Sequence, residues 1–534
     1  LLDWLDRHSA VPVVLFFIAL LVIGLASFRD YGISWDEPLQ RKYGQHLYDF
    51  VTKGDLRMIE GPMKYYGPAF EMCLFFLQKA LGLEDTRSIY FMRHLMTFLV
   101  FLLGVFFFYR LCRLIFRSWK VGLLGAAMLV LSPRIFAESF YNPKDMPFLA
   151  LFVISIYTLV RYLDAKTIRW AVTHAIACAV LVDIRIVGLL VPLFTAGFVA
   201  ADVAGAGRRG AHVVRQVLGF GVFGGVLAAA VVLMWPTLWQ RPLYHLAQAF
   251  REMSHYPQDA PVLYLGQYTQ PRDLPWHYGV VWIGISTPLL YIVGFLLGCL
   301  VLLRRASGGL IRHNIGVLSG RFPEGLISGR DSAVLLLWFF FPVLYVMLSR
   351  ATLFDGWRHI YFVYPAFVGI ALVGFCGAFR FLRGCIRSGA FRIVATIVVV
   401  AVTLGMLNIA RIMFKYHPYE HLYFNVLAGG IRGAEGRFDL DYWGLSYRQA
   451  LEHILRIDGD AVIPVCVHTR PGRVNAEILP VQDRQRLVFE TNPYDAEYYL
   501  TSMRWEKVNY LPEQIVREIY VDGARIMVAV KVVR

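Results

Sequence analysis

The sequence predicts a polytopic α-helical membrane protein of about eleven spans with a C-terminal soluble α/β domain. Of the 534 residues, 57% are hydrophobic and only 17% charged, and the mean hydropathy is +0.52, well outside the range of a soluble domain. Apolar runs long enough to cross about 30 Å of hydrocarbon recur along most of the chain. From about residue 412 the composition changes to that of a soluble domain. A secretory signal would supply one short apolar run, so the first run is read as a true span. The chain opens on Leu1 rather than methionine, so a short piece is expected to precede it.

The spans are expected near 11–28, 89–109, 121–137, 147–163, 171–182, 186–202, 217–235, 279–303, 331–349, 360–379 and 393–411. With the N-terminus placed in the cytoplasm, five alternate loops are basic, among them those with Arg110 to Lys120, Lys166 and Arg169, and Arg208 to Arg215. The two later ones carry Arg304, Arg305, Arg312, Arg321 and Arg330, then Arg380, Arg383, Arg387 and Arg392. Short basic loops belong inside, so residues 412–534 are expected outside. Two outer segments, "GPMKYYGPAFEMCLFFLQKALGL" with Lys64 and "PLYHLAQAFREMSHYP", are amphipathic at helical spacing and suit interfacial helices. In the C-terminal domain "DYWGLSYRQALEHILRI" reads as a helix, "AVIPVCVHT" as a strand, and "VREIYVDGARIMVAVKVV" as a hairpin turning at Asp522 and Gly523.

Several chemistries are set aside. The formal charge of +15 implies a nucleic-acid partner only where basic residues gather on one soluble face, and many lie between spans. None of the seven cysteines falls in a CxxC pair or at metal-ligand spacing. The "GAGRRG" loop at 205–210 matches GxGxxG but lies between two spans, without the βαβ context that a nucleotide needs.

The candidate chemistry lies at the outer ends of the spans. "YGISWDEPLQ" presents Asp36 and Glu37 just outside the first span, and "ESFYNPKDMPF" presents Glu138, Asn142, Lys144 and Asp145 between the third and fourth. "AVLVDIRIVGLL" places Asp183 and Arg185 in apolar surroundings, where ionisable groups face a partner or a cavity. "SRATLFDGWRHIYF" adds Arg350, Asp355, Arg358 and His359. Singly, these read as interfacial turns, an ion pair and snorkelling cations. Together they put carboxylates and cations on one membrane face. A sugar leaving a polyprenyl phosphate develops negative charge that fixed cations stabilise, and a carboxylate accepts the proton of the attacking hydroxyl. Asp36 suits the base, with Glu37 and Asp145 beside it. Lys144, Arg350, Arg358 and His359 suit the phosphate, with Asn142, Asp183, Arg185 and Lys64 in support.

The "WDE" and "YNPKD" motifs, the long first outer loop and the outer C-terminal domain together resemble the GT-C glycosyltransferases. The nearest branch is the protein O-mannosyltransferase-like family 39, with the lipid A aminoarabinose transferases as relatives. "HPYEHLYFNVLAGGIRGAEGRFDLDYWGLSYRQA" is similar to a stretch opening the outer domain of bacterial members. The resemblance implies that Asp36 acts as the base, that Asp145 is the second-loop carboxylate, and that a polyprenyl-phosphate sugar is transferred with inversion.

The expectation is therefore a GT-C domain over 1–411 and a periplasmic α/β domain over 412–534, in a bacterial inner membrane. Its partners would be membrane lipids, a polyprenyl-phosphate-linked sugar, and a lipid, polysaccharide or protein acceptor. Asp36, Glu37 and Asp145 offer the oxygen ligands that Mg²⁺ or Mn²⁺ prefers, yet no metal is expected. The rival readings are a secondary transporter, for which related halves are expected and no repeat is found, and a non-catalytic envelope scaffold.

Overall fold

A computed structural model describes residues 8–61, 64–205, 210–254, 258–307, 326–386, 388–506 and 514–532. Each predicted span is helical, but the helices are less uniform than the hydropathy suggested. Among the described residues eight helices are long and apolar enough to cross a membrane, or nine if one bent pair counts as a span. The predicted 171–182 span lies in a helix of only 17 residues, Ile168–Ile184, which stops where Asp183 and Arg185 interrupt the apolar run. The predicted 279–303 span is two helices, Tyr278–Ser286 and Leu289–Ser307. Thr287 precedes Pro288 and is extended at φ −96° and ψ 139°, because proline disfavours the helical region for the residue before it. Pro133 acts likewise. Trp119–Val130 and Pro133–Tyr141 meet at a 69° bend, with Ser132 extended between them.

Of the eight long apolar helices, Asp145–Ala165 is the most enclosed, with 83% of its apolar window buried, against 6% for Ala390–Tyr416. The first occupies the centre of the bundle. The second presents its apolar surface outward, as a helix against lipid does. The two expected interfacial helices are Ala69–Ala80 and Pro242–Ser254. Arg208, Arg209, Arg312, Arg321 and Arg387 of the basic loops, and Gly207 of "GAGRRG", lie outside the described residues.

The last long helix runs past the expected boundary, to Tyr416. The chain then folds back on the bundle before making the sheet. Asn425 donates its side-chain amide to the carbonyls of Gly284 and Thr287, both at 2.7 Å, and its own N–H to Ile285 at 2.8 Å. The carbonyls freed by the Pro288 break are thereby satisfied, which a broken helix at membrane depth requires. The sheet contains β3 (Ile463–Val467), β4 (Leu487–Glu490), β5 (Tyr498–Thr501), β6 (Ile515–Val521) and β7 (Ala524–Lys531), after a separate hairpin of β1 (Val262–Tyr264) and β2 (Gln267–Thr269). Its order is β4-β3-β5-β7-β6. β3 runs parallel to both neighbours, and β7 antiparallel to β5 and β6. The β6–β7 turn falls on Asp522 and Gly523, at φ 49° and 84°, the conformation that selects Asp-Gly.

One close approach fixes the segment after the first long helix to the bundle. A Cβ on Gly67 would lie 0.9 Å from the Asp183 carbonyl oxygen, while the Asp183 side chain accepts the Ala69 N–H at 2.6 Å. Gly67→Ala is expected to cost about 3 kcal/mol, because two backbones would have to part. A lowered thermal midpoint in detergent checks it. An unchanged midpoint would mean that the loop does not dock there.

Candidate functional site

Asp36 is placed by its neighbours on both sides. The strap before it is pinned by Asn475, which accepts the Ile33 N–H at 2.9 Å and donates to the Ile33 carbonyl at 3.0 Å. Ser34 donates its hydroxyl to the Tyr141 carbonyl at 2.7 Å. After it, Pro38 near the start of helix Glu37–Lys53 sets the turn. Glu37 faces elsewhere. Its carboxylate accepts the Ser34 N–H at 2.8 Å and pairs with His94 at 3.1 Å, almost fully buried.

Asp145 opens the central helix, held by the Asn-Pro turn. The Asn142 carbonyl oxygen accepts the Asp145 N–H at 2.9 Å, and the Asn142 amide donates to Asp145 Oδ2 at 3.0 Å and to Glu138 Oε2 at 2.8 Å. Arg358 joins the two aspartates. Its Nη1 donates to Asp36 Oδ2 at 3.0 Å and to Asp145 Oδ2 at 3.2 Å, and its Nη2 lies 3.5 Å from Asp355. Arg185 pairs with the other oxygen of Asp145. Of the two aspartates, Asp36 is the more accessible, its side chain 18% exposed against 2% for Asp145.

Lys144 precedes Asp145, its Nζ 3.6 Å from the centre of the Tyr66 ring. Burial, and then the positive charge of Arg185, bring its pKa down to about 7. Several polar atoms of the group have no hydrogen-bond partner among the described residues: Nε of Arg185, Nε of Arg358, Nδ1 of His359 and Nε1 of Trp443. The arginine and indole N–H groups among them are donors, the kind of group from which an anion accepts.

The structure thus brings Asp36, Asn142, Asp145, Arg185 and Arg358 into one network with Lys144 beside it, and leaves other expected residues out. Asp183 holds the start of helix Ala69–Ala80. Lys64 contributes its carbonyl, which accepts the Trp235 indole N–H at 3.1 Å and the Thr237 hydroxyl at 2.9 Å. Arg350 ends helix Gly329–Ser349 in the left-handed region and lies exposed beside a groove with Leu274 and Trp276. His359 stays beside the network, within electrostatic reach of Asp145, with its ring edge-on against Phe354 at 4.5 Å. Glu138, noted in the sequence but given no role there, accepts the Tyr361 and Tyr442 hydroxyls at 2.7 and 3.1 Å; Trp443 and Arg504 were missing from the expected set. Glu138 was legible: it lies four residues before Asn142, on the same helical face. Trp443 lies in the stretch that carried the resemblance but had no role assigned, and Arg504 carried no local signal.

The three carboxylates the sequence offered to a divalent ion do not come together. Asp36 and Asp145 converge on a guanidinium, and Glu37 is committed to Ser34 and His94, so this set does not fit a metal. Among the described residues, one group brings three potential metal-ligand atoms within 4.8 Å of one another. It is Asp458, Asp460 and Glu497, in loops beside the C-terminal sheet.

No protein-family model matches the chain, and no curated protein sequence matches it. Among solved structures it is similar to ArnT from Cupriavidus metallidurans bound to undecaprenyl phosphate, at 15% identity and TM-score 0.46, covering 97% of this chain and 98% of that one. It is also similar to the Archaeoglobus fulgidus oligosaccharyltransferase in the apo form, at 11% identity and TM-score 0.48, covering 90% of this chain and 65% of that one. A third is AglB from Archaeoglobus fulgidus with an inhibitory peptide and a dolichol-phosphate, at 10% identity and TM-score 0.48, covering 94% and 70%.

Proposed function

We propose that the chain is a GT-C membrane glycosyltransferase that moves a sugar from a polyprenyl-phosphate donor to an acceptor hydroxyl or phosphate, with inversion. The observation that carries this reading is the convergence of Asp36, Asp145, Arg185, Arg358 and Lys144 where the ends of several helices meet. Asp36, the more accessible of the two aspartates, is the base that takes the acceptor proton as the new bond forms. Asp145, buried between two arginines, holds those cations where negative charge develops on the departing phosphate. The sequence resemblance supports the same assignment for both aspartates. On this reading the site faces the periplasm of a bacterial inner membrane, residues 412–534 lie on that side, and no metal takes part.

The test is binding of undecaprenyl phosphate, followed by calorimetry in nanodiscs in two buffers of different ionisation enthalpy. At pH 8 Lys144, with its pKa near 7, is about nine-tenths neutral, and the lipid phosphate is almost fully ionised, its second pKa being about 6. An arriving dianion favours the ammonium form, so binding should take up close to one proton, and affinity should weaken above pH 7. Lys144→Met should abolish the uptake. Binding without uptake and without pH dependence would remove Lys144 from the phosphate site; no binding would overturn the function.

A further inference from the structure

The bundle supplies all three carboxylates that meet Arg358, yet part of what surrounds its guanidinium comes from the chain beyond Tyr416. The Trp443 ring lies 4.9 Å from the guanidinium carbon, and Phe354, of the bundle, lies 5.1 Å from it. Asp355, whose Oδ2 is 3.5 Å from Arg358, is held on its other oxygen by Arg504 at 2.5 Å. Arg504 also donates to the Tyr442 carbonyl at 3.0 Å, tying its own turn to the loop that carries Trp443.

Both elements are built to hold these positions. In the Trp443 loop, Asp441 accepts the N–H groups of Gly444, Leu445 and Ser446 at 3.0, 3.1 and 2.9 Å, and pairs with His421 at 3.2 Å. Gly444 is at φ 71°, and a Cβ there would meet the Pro471 side chain at 2.4 Å. Arg504 sits between Met503 and Trp505, at φ 60° and 62°, left-handed backbone that non-glycine residues keep only when their surroundings enforce it. The Trp505 indole N–H, donated to the Pro261 carbonyl at 2.6 Å, is part of that enforcement.

We propose that the C-terminal region is a working part of the donor site, with Trp443 and Arg504 as positioning residues for Arg358. The proposal rests on the lipid-phosphate reading above. Arg504 neutralises Asp355, so that the Arg358 guanidinium stays on Asp36 and Asp145 instead of being drawn towards Asp355. Trp443 keeps water from one side of the guanidinium.

The test measures the affinity of the full-length protein for undecaprenyl phosphate in nanodiscs, together with thermal unfolding. Arg504→Ala should weaken binding about tenfold, and adding Asp355→Asn should restore it to within about threefold, since the two residues act as one unit. Trp443→Leu should weaken binding about 2- to 30-fold, and Trp443→Phe, which keeps an aromatic ring, should bind within about threefold of wild type. If the arginine variant fails to fold, the two tryptophan variants carry the test. Folded variants that unfold at lower temperature yet bind with wild-type affinity would make these residues structural only and overturn the proposal. Failure of the wild type to bind would instead overturn the lipid-phosphate reading on which it rests.

Discussion

Asp36→Asn is expected to abolish measurable sugar transfer while leaving protein level and binding of undecaprenyl phosphate near normal. Asparagine keeps the size of the side chain and still accepts the Arg358 hydrogen bond, but it cannot take the acceptor's proton. Loss of general-base catalysis costs about a hundredfold to ten-thousandfold in rate. The neighbouring carboxylate is the internal control. Glu37 is buried against His94 and the Ser34 N–H, so Glu37→Gln should lower stability more than chemistry and retain activity. The measurement is transfer from a radiolabelled or fluorescent polyprenyl-phosphate sugar by purified variants in detergent. Wild-type turnover in Asp36→Asn would reduce the acidic pair to an interfacial flank and remove Asp36 as the base.

Arg358→Ala should have the second large effect, on both binding and stability. It leaves Asp36, Asp145 and Asp355 without the guanidinium they share, with Arg185 and Arg504 compensating from the two ends. Truncating one partner of a buried charge pair costs about 2–5 kcal/mol, or about thirtyfold to several-thousandfold in donor affinity. Arg358→Lys should recover only part of it, because a single ammonium cannot bridge three carboxylates as the planar fork does. Undecaprenyl phosphate binding and thermal unfolding, measured on the same preparations, read the two effects. Unchanged donor affinity in Arg358→Ala would remove the clamp from the mechanism. Arg350→Ala is the matched comparison and should be nearly silent, since that side chain lies exposed beside another groove.

Those two arginines mark the boundary of what the sequence determines. Eight residues apart in one connecting segment, they look alike in sequence, and only the fold separates them. Arg350 caps a helix end, whereas Arg358 meets Asp36 across 322 positions of chain. By itself the sequence determined where helices form and where they break. Apolar periodicity, the residue before proline, and the left-handed preference of Asp-Gly are local effects, written within a few residues of where they act. It also marked Asp36 and Asp145, because charge at the end of an apolar run is a local signal too. Tertiary structure alone decided that Glu37 meets His94 and the Ser34 N–H, and that Asp183 serves as an anchor for helix Ala69–Ala80. It also decided that Trp443 and Arg504 come from the chain beyond Tyr416 to surround an arginine that precedes the last two long helices. Packing and ion pairs between segments hundreds of residues apart depend on how helices and sheet settle together, and no short stretch of sequence carries the signature of its distant partner.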